Sequence, residues 1–276
     1  MTAGRIITEH NRGGLTIVML FAKSVIKTLK GGDTMAMKRR ISKGISAGVI
    51  AVAILATAAL TGFTVLPVAA DDAMDSKQLV EKAKISFDRF VAAKDNAAFR
   101  DLLKKAKGVF IAPQILKGAF IVGASGGSGV FVTRDERTGQ WNGPAFYTIG
   151  SASFGLQIGG EASEVVLLAM TERGVTALLG SSVKLGADVG IAAGPVGAGV
   201  SAATENLSAD ILSFAHAKGL FAGISLDGAI VKVRESLNEA YYGKKADPTD
   251  ILVKRDVKNR QAEGLLHAVS KAARRK

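Results

Sequence analysis

The chain has 276 residues, with 36 Lys and Arg against 24 Asp and Glu, 32 glycines, five prolines and no cysteine. The lack of cysteine excludes disulfides, thiol catalysis, Cys-ligated zinc, iron–sulfur clusters and a lipidated N-terminal Cys. Three histidines (His10, His216, His267) are too few for a His-rich metal site, and 48% hydrophobic with 22% charged residues is a folding composition.

The charge divides unevenly. Residues 1–70 hold nine Lys/Arg and two Asp/Glu, whereas residues 71–276 hold 27 and 22. More than half of the net +12 therefore lies in the first quarter of the chain. A basic chain of this kind gives no argument for nucleic acid as a partner.

Residues 1–36 read as an upstream extension before a start at Met35 or Met37. Met37-Lys38-Arg39-Arg40-Ile41-Ser42-Lys43 is a basic flank, an uncharged run fills residues 44–70, and Val68-Ala69-Ala70 precedes Asp71-Asp72. This is the layout of an export signal over residues 37–70, with cleavage expected after Ala70. The rival reading keeps residues 44–66 as an uncleaved anchor, for which the run is long enough. Pro67 and the small-residue site favour cleavage. The expected location is exported, either periplasmic or membrane-associated, with the basic flank left in the cytoplasm. About 200 residues remain, enough for one domain with its own core.

Helical spacing opens that domain. Leu79, Ala83, Phe87 and Phe90, joined by Val80 and Val91, form one apolar face, with Asp75 or Ser76 as the expected cap. Asp95-Asn96 breaks the pattern and starts a second helix with Phe99, Leu102, Leu103 and Ala106 inward. Lys77, Lys82, Lys84, Arg89, Lys94, Arg100, Lys104 and Lys105 occupy the polar faces. Two readings stand here: core-packing helices with solvated charges, and a basic surface able to lie on anionic lipid.

Residues 108–233 contain 22 of the 32 glycines and many short runs of period two. Val183, Leu185, Ala187, Val189 and Ile191 alternate as in a half-buried antiparallel strand. Residues 134–139 read as a turn between strands 130–133 and 141–147. Asp227-Gly228 reads as a hairpin turn between runs 220–226 and 229–233. A short helix is expected over 171–179. The fold class is α+β: a glycine-rich, mainly antiparallel curled sheet or barrel-like core flanked by N-terminal and C-terminal helices. A helix over 235–242 stops at Asp247-Pro248, and residues 254–276 form a basic helix or tail, expected to be a frayed, solvated end.

None of the motifs in the chain carries a complete set of catalytic or ligating residues. The run Gly123-Ala124-Ser125-Gly126-Gly127-Ser128-Gly129 has neither the Lys-Ser/Thr of a P-loop nor G-x-G-x-x-G spacing, so it reads as a tight connection between strands. His216 has no nucleophile beside it in sequence, no G-x-S-x-G elbow exists, and Glu161 and Glu164 fall on opposite strand faces. No catalytic residue, cofactor or metal ligand is assigned.

Ala106-Lys107-Gly108-Val109-Phe110-Ile111-Ala112-Pro113, Lys117-Gly118-Ala119-Phe120, and Gly129-Val130-Phe131-Val132-Thr133-Arg134 resemble the SYLF domain, also called the Ysc84 actin-binding domain. Trp141-Asn142-Gly143-Pro144-Ala145-Phe146, Gly155-Leu156-Gln157-Ile158-Gly159-Gly160, Leu185-Gly186-Ala187-Asp188, Gly194-Pro195-Val196-Gly197 and Tyr241-Tyr242-Gly243 continue the series. The similarity spans about residues 76–253, and the domain is placed at 71–253. It looks like a bacterial exported member. The resemblance implies a non-enzymatic module that binds acidic phospholipids; eukaryotic relatives bind phosphoinositides and fungal ones also bind actin, which is not expected as a partner in a bacterium. Lys104, Lys105, Lys107 and Lys117 are the expected lipid contacts, with Phe87, Phe90 or Phe99 available for insertion. The alternative is a structural or protein-partner-binding envelope protein that recruits through a sheet edge or apolar patch.

Overall fold

The computed structural model describes residues 69–119, 122–154, 159–195 and 208–274. The upstream extension, and all of the expected signal except Ala69 and Ala70, lie outside the described residues. Among the described residues no helix is long and apolar enough to cross a membrane. Residues from Pro67 to Lys276 form one compact unit, and both of its hydrophobic clusters are drawn from residues 79–273. A unit that supplies its own core is the fragment to use in solution experiments.

The chain opens with helix α1 (Ala69–Ala92) and helix α2 (Ala97–Lys105). Four long strands follow: β1 (Gly108–Ala119), β2 (Val122–Arg134), β3 (Trp141–Phe154) and β4 (Gly159–Ala169). Helix α3 (Glu172–Leu179) leads to the short strands β5 (Ser182–Lys184) and β6 (Ile191–Ala193). Strands β7 (Ile211–Ala217), β8 (Leu220–Gly223) and β9 (Ile230–Val233) precede helix α4 (Glu235–Tyr242). A π-helical turn (Asp250–Lys254), a 3-10 turn (Arg260–Ala262) and helix α5 (Glu263–Arg274) complete the unit. The expected α+β class is the observed one. The sheet order is β5-β9-β3-β2-β1-β4-β7-β6, with β8 on β7, antiparallel except for the β6–β7 pair, and it curls into a half-barrel.

The curl has a local cause. The register of β1 shifts between Ile111 and Gln114 against β2, and between Ala112 and Ile115 against β4. This bulge sits at Pro113, which has no N–H to give to a ladder, and a bulge bends the strand that carries it. Below the bulge both sheet faces are covered, so the strands read as continuous apolar runs. Val109, Ile111, Val130, Val132, Phe146, Val166 and Leu168 face α1, α2, α4 and α5. Phe110, Ala112, Phe131, Tyr147, Val165 and Leu167 face α3, β5 and the π-helical turn. Thr171 caps α3: its hydroxyl accepts from Gly174 N–H at 3.0 Å and donates to Asp210 at 2.6 Å.

Several expectations require correction. Helix α1 begins at Ala69, so Asp75 and Ser76 lie inside it, and the Ser76 hydroxyl bonds back to the Ala73 carbonyl at 3.0 Å. The 123–129 glycine run is not a connection but lies within β2, paired to β1 and β3. Residues 183–191 are not one strand. Gly186 at φ +83° turns the chain, so Leu185 and Val189 bridge each other, and both are buried in the cluster that also holds α3. Asp227-Gly228 does make a turn, but β8 pairs with β7 while β9 lies between β3 and β5. The non-local ladders outweigh the local hairpin. The C-terminal segment is no frayed end, because Leu265, Val269, Ala272 and Ala273 are buried in the same cluster as α1 and α2.

All three tyrosines, Tyr147, Tyr241 and Tyr242, are pushed upward by burial of the phenol. Each is hydrogen-bonded: Tyr147 to the Leu178 carbonyl at 2.6 Å, Tyr241 to Gln261 at 2.7 Å, and Tyr242 to the Pro144 carbonyl at 2.8 Å. A group raised in the folded state contributes stability that is complete below its unfolded pKa and declines above it. Thermal melts should therefore lose midpoint steeply once pH exceeds about 10. Phenolate absorbance is expected to grow together with unfolding; growth well before it would contradict this reading.

Candidate functional site

Helix α1 carries Asp75, Gln78, Lys82, Ile85 and Arg89 at intervals of three and four, which puts them along one stripe. The opposite stripe, with Leu79, Ala83, Phe87 and Phe90, is in the core. The first stripe overlooks the part of the sheet beyond the β1 bulge, where side chains are small. Two adjoining clefts result. One, of about 370 Å³, is lined by Lys82, Ile85, Arg89, Pro113, Gln114, Ala162, Ser163, Glu164, His216, Ala217 and Lys218. The other, of about 260 Å³, shares Lys82, Pro113 and Gln114 and adds Leu116, Gly126, Gly127, Ser128 and Arg234. Together they form an open groove along α1.

Its charges are arranged around one carboxylate. Glu164 on β4 lies opposite His216 on β7 in the ladder. It accepts a hydrogen bond from Arg89 and sits 3.0 Å from His216 Nδ1. The His216 ring stacks on Phe221 at 4.3 Å and meets the edge of Phe90 at 6.5 Å. At the other end Arg234 donates to the Ser128 hydroxyl at 3.0 Å and lies 3.8 Å from Asp72. Among the described residues no hydroxyl hydrogen-bonds to His216, and no group of three or more His, Cys, Asp or Glu is placed to hold a metal. The imidazole is a packed element tied to an ion pair. The groove lining combines Lys82, Arg89, Lys218 and Arg234 with the carboxylates of Asp75 and Glu164.

The expected lysines fall elsewhere. Lys104 pairs with Asp101 at 2.8 Å, and Lys105 is exposed in the last turn of α2. Lys107 donates to Glu136 and, at 2.7 Å, to Glu172, and these hydrogen bonds raise its pKa above the usual lysine value. Lys117 is exposed ten residues farther along β1, opposite Glu161 in register and roughly 30 Å from Lys107. The structure thus gathers Lys104, Lys105 and Lys107 at the α2–β1 junction and leaves Lys117 apart from them, on the strand face opposite Leu116. Phe87, Phe90 and Phe99 are fully buried, so none of them is available for insertion. Sequence spacing did contain Lys82 and Arg89 as part of a charged face. Nothing in it pointed to Lys218, which takes φ +51° at the tip of the β7–β8 hairpin.

A family model described as Ysc84, "Las17-binding protein actin regulator", matches residues 150–272. Those residues are thus similar to the Ysc84 domain. Over 166 residues the chain is 33% identical to the SH3 domain-containing YSC84-like protein 1 of Homo sapiens, covering 59% of this chain and 48% of that protein. It is 34% identical over 147 residues to Protein YSC84 of Saccharomyces cerevisiae, covering 51% of this chain and 31% of the relative. LAS seventeen-binding protein 3 of the same yeast is 33% identical over 147 residues. The chain spans about half the length of the YSC84-like protein and about a third of the yeast relatives. The Ysc84 match takes in Glu164, His216, Lys218, Arg234 and most of the packed helix α5, while the α1 stripe precedes it.

Proposed function

We propose that this domain is a non-enzymatic module that binds acidic phospholipids at a membrane surface. The observation that carries the reading is the groove, in which Lys82, Arg89, Lys218 and Arg234 line two joined clefts floored by small residues. Each lysine or arginine close to an anionic bilayer contributes roughly 1 kcal/mol of attraction. The resemblance of the strands to the SYLF series supports the same class of ligand. Lys117, which alternates with Leu116 on β1, is not part of the groove; Lys104, Lys105 and Lys107 are a second cationic patch, held by carboxylates at two of its three positions. In this proposal the export signal at residues 37–70 delivers the domain to the periplasmic face of a membrane.

Co-sedimentation of residues 67–276 with vesicles tests it, using phosphatidylglycerol, cardiolipin or phosphatidylinositol in phosphatidylcholine, and phosphatidylcholine alone, at low and high salt. Retention on the three anionic mixtures that declines with salt is expected. Equal retention on the neutral vesicles would remove the electrostatic basis. A second reading, a protein-binding module, draws on the name of the relative LAS seventeen-binding protein 3. It gains if every vesicle leaves the domain in the supernatant.

A further inference from the structure

We infer that a separate cavity, near the other end of the long strands, binds a phosphate monoester. It has a volume of about 510 Å³ and opens between the start of β3, the end of the π-helical turn and the start of α5. None of its lining residues belongs to the α1 groove, so the assignment stands apart from the phospholipid reading above. The observation that points to a ligand is Trp141. Its side chain lines the cavity and is only 6% exposed, yet its indole N–H has no hydrogen-bond partner among the described residues. Nor is that nitrogen one of the fully enclosed atoms left without a partner. It therefore reaches open space, and the space beside the ring is the cavity. An indole N–H so deeply placed ordinarily finds an acceptor.

The charges around that N–H call for an anion. Arg255, Lys258 and Arg260 line the cavity against one carboxylate, Glu263. Arg255 closes the π-helical turn at φ +64°, and Asp135, outside the lining, holds its guanidinium at 2.9 Å. Lys258 and Arg260 are exposed and pair with no carboxylate among the described residues, Glu263 included. Glu263 stands in the first turn of α5, where the helix dipole by itself favours a negative side chain. That same end of the helix favours an anion in the cavity. Asn259 caps the 3-10 turn leading into α5 by accepting from Gln261 N–H at 3.0 Å, and the Arg260 N–H is left without a partner. The side-chain amide of Asn142, also in the lining, is uncommitted. The lining thus brings together an indole, an amide, two guanidinium groups and an ammonium. Such a set suits an anion with several acceptor oxygens better than a carboxylate with two. A phosphate monoester presents three terminal oxygens and a charge of about −1.5 to −2 near neutral pH.

Trp141 is the only tryptophan of the chain, so its emission reports on the cavity directly. Residues 67–276 are titrated with glycerol 3-phosphate, with sodium sulfate, and with potassium chloride at matched ionic strength. The phosphate ester should change Trp141 emission saturably and bind about tenfold or more tightly than sulfate, while chloride leaves the emission unchanged. Lys258→Gln with Arg260→Gln should weaken this binding about tenfold or more with an unchanged melting curve, because both side chains are exposed. Lys104→Gln with Lys105→Gln should bind as wild type does. Vesicles of phosphatidic acid in phosphatidylcholine carry the same ester on a lipid. A Trp141 response to these vesicles, with or without one to the free ester, assigns the cavity to a headgroup; a response to glycerol 3-phosphate alone assigns it to a soluble ligand. Equal affinity for sulfate, or equal weakening by the Lys104 and Lys105 substitutions, would overturn the inference. Vesicle retention with no Trp141 response to either form would sink it and leave the groove reading standing. A Trp141 response to glycerol 3-phosphate with no retention on any vesicle would do the reverse.

Discussion

Replacing Gly127 with alanine is expected to cost about 3 kcal/mol or more. A Cβ built at that position would lie 2.1 Å from the Gln114 carbonyl oxygen and 3.1 Å from its carbon. The obstacle is backbone, on the strand that carries the bulge, and it cannot rotate away as a side chain could. Relief requires β1 and β2 to separate where the sheet begins to curl. Gly129 is under the same pressure, with Phe110 at 2.5 Å and the Ile111 carbonyl at 2.8 Å. Gly126 is the internal control, because its added Cβ would meet only the Ile149 carbonyl at an ordinary 3.6 Å. Urea denaturation of residues 67–276 should show a large loss for Gly127→Ala and less than about 1 kcal/mol for Gly126→Ala. Equal midpoints for the two would mean that close approach at the bulge does not hold the curl.

Phe99→Ala should cost about 3–5 kcal/mol. Phe99 is fully buried, with ring centroids 6.4 Å from Phe87, 5.6 Å from Phe90 and 5.2 Å from Phe214. It joins α2 to α1 and to strand β7 in one cluster. The cavity left by its ring would be bounded by three rigid elements, so collapse around it is limited. Equilibrium unfolding by circular dichroism gives the number. Phe99→Leu is the companion, and it should recover more than half of the loss by refilling most of the volume. A loss below about 1 kcal/mol for Phe99→Ala would show that α2 is peripheral to the fold.

Much of the architecture could be read from residue order. The spacing of Leu79, Ala83, Phe87 and Phe90 gave α1, and that of Phe99, Leu102 and Leu103 gave α2, because a period near four has one structural solution when all its members are apolar. The Arg134–Gly139 turn was legible because Asp135 accepts from the N–H groups of Arg137 and Thr138 within its own loop. The expectation at Asp227-Gly228 went wrong for the opposite reason. The turn itself is local, but the partners of the flanking strands lie tens of residues away, β7 on one side and β3 with β5 on the other. The alternation over 183–191 misled similarly, since a turn at Gly186 separates Leu185 from Val189 and both pack into the cluster under α3.

The site was less legible than the fold. Lys104, Lys105 and Lys107 are close in sequence and remain close in space, yet two of them are occupied by Asp101, Glu136 and Glu172, of which only Asp101 is near in sequence. Lys82 and Arg89 were visible as part of a charged helix face without any sign of what that face overlooks. Glu164 and His216, 52 residues apart, meet only because β4 and β7 are neighbours in the sheet.

Residue order by itself determined the α+β class, the two opening helices, the glycine-rich sheet and the Ysc84 resemblance, since each depends on short-range periodicity or on local motifs. The tertiary structure alone decided which exposed residues share a surface. The bulge at Pro113 sets which side of the sheet Leu116 faces, strand order brings Lys218 and Glu164 to the flank of α1, and the packing of α1 buries Phe87 and Phe90 while leaving Ile85 outside. Such a surface is assembled from four separate elements, and its geometry is fixed by non-local hydrogen bonding and close packing that no local pattern encodes.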